Sequence, residues 1–313
     1  MLLASLIKNS SKFKKVIKYT IGCLLVIVVF KIFGEFKNFR QLVSLDWLHV
    51  FPVVLFWTFL INILAVWRWH ILLKSCSNKS NFLANLNFFM AGNVAGQSTS
   101  KIVGELGGKL AYLKSQGIDT KRGILTIFFD KLLEGILFLI VLLLFVAEMF
   151  LHAHTDYKPL YIPIAILLFI MVSWFLPKIL SIMVKFLPNQ YMKSETQGII
   201  SDSNKCMIIL LTIGKYLASA MRYMFILDIS GVNLSFVNVF MGASLAQLGL
   251  IVGITPGGLG FVEAGWGGAL NYFGISSFAI TKFLVAQRLL IFTSVFTLSF
   301  ILLSYKWLSR KFY

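Results

Sequence analysis

The sequence predicts an all-α polytopic membrane protein of about six full spans and two interrupted helical hairpins. Three observations carry this. Apolar residues make up 58% of the chain and charged residues only 13%, where a soluble domain carries about a quarter charged. Apolar runs recur at roughly the 20-residue length that a helix needs to cross hydrocarbon. The charge balance is strongly basic, 29 Lys and Arg against 12 Asp and Glu for a net +17, and the basic residues gather between runs, as cytoplasmic loops do. Mean hydropathy is +0.84, too much apolar surface for one soluble core. The same scatter makes nucleic acid a poor partner, and a membrane surface a good one.

The elements follow in order. Residues 1–15 form a basic cytoplasmic N-terminal segment with Lys8, Lys12, Lys14 and Lys15. The run at 17–33 then reads as a retained signal anchor rather than a cleaved leader. Full spans are expected at 50–73, 123–150, 159–177, 206–228 and 278–304. The stretches 82–113 and 236–277 are apolar but broken by Gly and polar residues, and each is long enough for a helical hairpin. Cys23, Cys76 and Cys206 are odd in number and far apart, with no CxxC pair.

Charge bias sets the orientation. The N-terminal segment, the 74–81 and 114–122 loops, the 178–205 loop and the tail after 304 are expected in the cytoplasm. Hairpin 82–113 then enters and leaves from the inside, and hairpin 236–277 from the outside. The whole chain, 1–313, reads as a single membrane domain. It divides into halves 16–150 and 159–304, each span, span, hairpin, span, in opposite orientations. Such an inverted repeat places a binding site near the midplane. Arg68 and Arg222 sit on matching spans, Glu105 and Glu263 in matching hairpins, and Asp130 and Arg288 each 25 residues after their glutamate.

Ionic side chains within the apolar segments are the candidate functional residues. The cations are Arg68, Lys101, Lys109, Lys131, Lys215, Arg222, Lys282 and Arg288; the carboxylates are Glu105, Asp130, Glu134, Asp228 and Glu263. Each costs roughly 2.5–3.5 kcal/mol at a helix centre, so it persists when paired or facing a polar cavity. Asp130 and Glu134 share a helix face, as do Lys215 and Arg222. Structural ion pairs would explain any one of them; the cluster points to a cavity for a lipid headgroup. The sharpest local pattern is Thr255-Pro256-Gly257-Gly258-Leu259-Gly260, then Glu263. Thr and Pro suit a helix start. The glycines permit turns and close approach, and a helix beginning here would aim its positive end at phosphate. A plain tight turn is the alternative. Gly92, Gly96, Gly104, Gly107 and Gly108 break the first hairpin similarly, or serve close helix packing.

His152, His154 and Asp156 read as a solvated outer loop rather than a metal site; His49 and His70 read as interfacial. No CxxC, HExxH, Walker or GxSxG pattern occurs, and no nucleophile–base pair stands out. Catalytic residues, a metal and a cofactor are therefore not expected.

The segment from Gly242-Ala243-Ser244-Leu245 through Pro256-Gly257-Gly258-Leu259-Gly260-Phe261-Val262-Glu263 to Gln287-Arg288-Leu289-Leu290 resembles the lysylphosphatidylglycerol synthase transmembrane-region family, also called flippase-like integral membrane proteins. Arg68-Trp69, Gly92-Asn93, Gly104-Glu105 and Asp130-Lys131-Leu132-Leu133-Glu134 fit it too. The family has a Pro-containing approach to its first Gly-Glu element and an Arg soon after; here Ser98-Thr99-Ser100-Lys101 precedes it and Lys109 follows. The resemblance implies a multi-pass protein of a bacterial-type inner membrane that moves or presents lipids. Larger relatives add a soluble aminoacyl-transfer domain. The chain ends at Tyr313, so lipid aminoacylation by it alone is not expected.

The expected function is binding and translocation of anionic phospholipid or polyprenyl-phosphate-linked lipid. Arg68, Lys109, Arg222 and Arg288 would meet phosphate. Glu105, Asp130, Glu134 and Glu263 would orient them, and Pro256, Gly257, Gly258 and Gly260 would form the turn at the headgroup. The alternatives are a membrane-embedded transferase on a lipid phosphate and a non-transporting scaffold for envelope-synthesis enzymes.

Overall fold

The computed structural model describes residues 47–311 except 75, 76, 78, 152–160, 186–201, 253 and 254. The expected signal anchor at 17–33, the basic segment 1–15, Cys23, Cys76 and the His152–Asp156 loop lie outside the described residues. Everything described is helix or short connection: α1 Trp47–Lys74, α2 Phe82–Ser98, α3 Lys101–Ser115, α4 Thr120–Leu151, α5 Tyr161–Lys185, α6 Asp202–Ile229, α7 Phe236–Val252, a 3-10 turn Pro256–Gly258, α8 Phe261–Tyr272 and α9 Ser277–Lys311.

Four of these are long and apolar enough to cross a membrane, over His49–Lys74, Gly123–Met149, Asn204–Ile229 and Ser277–Ser304; α5 is apolar over Ile162–Trp174. Their outer surfaces expose Leu143, Leu167, Leu210, Phe300 and other large apolar side chains, as hydrocarbon requires and water would not tolerate in such number. The chain is a polytopic helical membrane protein.

The broken segments are hairpins because local chemistry turns the chain. Ser100 ends the break in the first: its hydroxyl caps α3 by accepting from the Val103 amide at 3.3 Å. Asn81 caps α2 in the same way from Ala84 at 3.0 Å. The two helices then run back along each other at backbone contact. A Cβ on Gly92 would stand 2.6 Å from the Gly104 carbonyl, and one on Gly108 2.5 Å from the Phe88 carbonyl. These glycines serve helix packing, the second of the two roles their spacing allows. The other hairpin closes likewise, with Gly265 against the Ala246 backbone and Gly242 against the Trp266 ring.

α1 and α6 pack against each other along their length and form the centre of the molecule. α9 lies against α1 and α2, and α4 against α3 and α7. Trp266 fixes the second hairpin, its ring centroid 4.9 Å from Tyr223 of α6 and 5.0 Å from Phe283 of α9. Trp69 and Tyr112, 5.7 Å apart, do the same between α1 and α3.

Candidate functional site

Helix spacing and charge build two ionic centres, and a cavity of about 630 Å³ lies between them. The first centre grows around Arg68 on α1, whose side chain is wholly buried. Its Nε donates to Asp130 Oδ1 at 2.6 Å and its NH2 to Glu134 Oε1 at 2.5 Å. Both carboxylates come from one face of α4, being one turn apart. Lys109 on α3 donates to the other oxygen of Asp130 at 2.6 Å and pairs with Glu105 one turn earlier at 3.0 Å. Its ammonium also sits 5.1 Å over the Trp69 ring. Lys131 bridges Glu105 and Glu134 at 2.6 and 3.0 Å, and Lys215 of α6 pairs with Glu134. No charge here is buried alone, which is the condition for burial at all.

The second centre is built on the Thr255–Gly260 turn. Gly257, Gly258 and Gly260 have φ of 57°, 72° and 83°, a left-handed path that glycine adopts without penalty. The turn leads into the start of α8, where the sequence predicts a helix to begin. The first amide there is not left for a ligand, however. Glu263 Oε2 folds back and accepts from the Gly260 N–H at 2.8 Å, placing the chain's own anion on the helix end. Glu263 Oε1 accepts from Arg288 Nε at 2.6 Å, and Arg288 NH1 donates to the Gly257 carbonyl at 2.9 Å. Positive potential in this centre therefore comes from side-chain cations more than from the helix dipole. Gly257→Ala is expected to lower stability by about 1–2 kcal/mol, the left-handed penalty for a side chain, because its Cβ would also stand 2.9 Å from Gln97 Oε1. A thermal melt in detergent measures it.

α1 and α6 exchange two bonds of the same kind. Arg68 NH1 donates to Thr212 Oγ1 at 3.2 Å, and Arg222 NH1 donates to Thr58 Oγ1 at 3.3 Å. On each helix the threonine precedes the arginine by ten residues.

Of the residues expected at a headgroup, Arg68, Glu105, Glu134, Arg222, Gly257 and Arg288 line the cavity. Lys109, Asp130 and Glu263 stand behind them in the ion pairs just given. Pro256, Gly258 and Gly260 shape the turn but do not line the space. Lys101, Lys131 and Lys215, recognised in the sequence as membrane cations but not as candidate headgroup contacts, also line it, as do the amides Asn62, Asn93, Gln97, Gln247 and Gln287. Isolated amides within apolar runs were the signal available for the latter. Lys101 and Arg222 have no carboxylate partner among the described residues. No three His, Cys, Asp or Glu side chains among the described residues converge as metal ligands.

The family model described as lysylphosphatidylglycerol synthase TM region matches residues 15–299. The chain belongs to this family. No curated protein matches it significantly. As a member of this family, it is a membrane protein of lipid-related processes. The match takes in both ionic centres and every residue that lines the cavity.

Proposed function

We propose that this protein binds the headgroup of an anionic phospholipid or a lipid-linked phosphate in the central cavity and carries it across the bilayer, flippase-like. The observation that carries this reading is the make-up of the cavity wall. Six cations, Arg68, Lys101, Lys131, Lys215, Arg222 and Arg288, line one space with Glu105 and Glu134, and Lys109, Asp130 and Glu263 stand directly behind them, seven cations and four carboxylates in all. The same wall includes Ile124, Phe128 and Phe292, apolar side chains 49%, 57% and 42% exposed. An ionic interior with an apolar rim suits an amphiphile, headgroup inside and tails in hydrocarbon.

The reciprocal Arg–Thr bonds support an inverted repeat in which α1 corresponds to α6, α2 to α7, α3 to α8 and α4 to α9. Contacts of α9 with α2 then match those of α4 with α7. Two such halves rocking about the α1–α6 seam would alternate the exposure of the cavity. In this reading the protein is a multi-pass component of a bacterial-type inner membrane with both termini cytoplasmic.

The test is reconstitution in vesicles with a tail-labelled phosphatidylglycerol and an impermeant quencher. Glu263→Gln with Arg288→Ala loosens the turn and α9 together and is expected to slow translocation at least tenfold, which is about 1.4 kcal/mol of barrier. Translocation at the parent rate would remove the second centre from the mechanism. A membrane-embedded transferase is less well supported. Glu105, Asp130, Glu134 and Glu263 are each held by at least one cation, leaving no free carboxylate base in the wall. A covalent lipid product from purified protein would favour it nonetheless. Envelope-synthesis enzymes that co-purify with lipid-free protein would favour a scaffold.

A further inference from the structure

The two halves differ in charge around their matched arginines, and that difference describes the ligand. Around Arg68 stand Asp130 and Glu134 at 2.6 and 2.5 Å. Counting from the matched Glu105 and Glu263, the positions that correspond to Asp130 and Glu134 are Arg288 and Phe292. For Arg222, the counterpart of Arg68, a cation and a ring thus occupy the sequence positions that are carboxylates for Arg68. Its side chain is 8% exposed, its Nε has no hydrogen-bond partner, and it faces the cavity. Lys101 lines the same cavity without a carboxylate in ion-pair contact, in the field of Lys215, Arg222 and Lys131 against that of Glu105. Gln287 Nε2, on a side chain 2% exposed, lacks an acceptor there as well.

We infer that the cavity takes a lipid ending in a phosphate monoester or diphosphate, held by Arg222 and Lys101 in the place that two carboxylates fill around Arg68. The inference rests on the lipid-binding reading above and narrows its substrate class. Seven cations against four carboxylates leave three positive charges in excess. A phosphodiester headgroup brings one negative charge. A phosphate monoester brings about 1.5 to 2 near pH 7, and a diphosphate more. Residual unpaired charge out of bulk water is costly, so the more highly charged end group is held more tightly. Its terminal oxygens can also accept from Arg222, Lys101 and Gln287 at once, where a diester has only two unbridged oxygens. The apolar rim of Ile124, Phe128 and Phe292 selects a lipid as the source, though inorganic phosphate and diphosphate carry the same group.

The full chain in detergent, probed by native mass spectrometry with short-chain phosphatidic acid, phosphatidylglycerol and phosphatidylcholine, tests this at pH 8. Phosphatidic acid is expected to bind at least about tenfold tighter than phosphatidylglycerol, a 1.4 kcal/mol difference. Lys101→Gln and Arg222→Gln, each checked as monodisperse, should abolish the preference, and Arg222→Lys should keep part of it. Equal binding of the two acidic lipids would overturn the monoester assignment and leave the lipid-binding reading standing. An undiminished preference in both glutamine variants would overturn the assignment to Lys101 and Arg222. Retention of no acidic lipid at all would remove both readings. Binding of inorganic diphosphate with no lipid bound would overturn the lipid source.

Discussion

Arg68→Leu is expected to destabilise the protein by about 3 kcal/mol, the low end of the 3–5 kcal/mol typical when one partner of a buried ion pair is removed. Arg68 makes two short bonds to carboxylates and one to the Thr212 hydroxyl. Leucine fills the space but leaves Asp130 and Glu134 short of one positive charge. Each carboxylate keeps a lysine, Lys109 for Asp130 and Lys131 and Lys215 for Glu134, which is why the low end applies. Arg68→Leu combined with Asp130→Asn should recover part of the loss, since the added change removes one of the two carboxylates left short of a cation. Thermal unfolding in detergent gives both values. A single variant as stable as the parent would mean that the network is hydrated and contributes little. Lys101→Gln is the contrast. Lys101 has no carboxylate to orphan, so its replacement should leave the melt unchanged.

Gly104→Val should be nearly as damaging, for a different reason. A Cβ at Gly104 would lie 2.3 Å from the Gly96 nitrogen, 2.4 Å from the Gly92 carbonyl and 2.4 Å from the Gly96 Cα. All three obstacles are backbone, so no rotamer change relieves them. Inserting bulk into a packed core costs roughly 1–3 kcal/mol and occasionally more; here α2 and α3 must separate, and about 3 kcal/mol or failure to assemble is expected. Separation would also displace Glu105 and Lys109, one and five residues further along α3, from Asp130 and Lys131. Lipid binding should fall with stability. Gly107→Ala, three residues away, is the control. Nothing lies within 4 Å of a Cβ there. The change should be neutral or raise stability by up to about 1 kcal/mol through helix propensity. Equal melts for the two variants would show that the hairpin is not packed at backbone contact.

Much of this arrangement is legible in the chain. The hairpins fall where Gly and polar residues interrupt apolar runs, because both permit a turn and spoil a span. Asp130 and Glu134 can be assigned to one helix face from their spacing, since helix geometry is local. The pairing of Arg68 with both could not be assigned, because the bonds cross from α1 to α4 over more than sixty residues. The turn before α8 was readable as a helix start; the return of Glu263 to the Gly260 amide was not, though a carboxylate three residues after a cap position is its usual signature. Lys101 offered no clue that it, and not Lys109, stands without a carboxylate: both are lysines in the same glycine-rich stretch.

By itself, the sequence determined the solvent and the elements. Composition excludes water as the sole surroundings, and the period and length of the apolar runs set helices of membrane length, because these depend only on each segment and its medium. Tertiary structure alone decided which charges neutralise one another and which remain for a ligand. That depends on distances between helices remote in the chain, and an ion pair a few ångströms long leaves no trace in the order of residues.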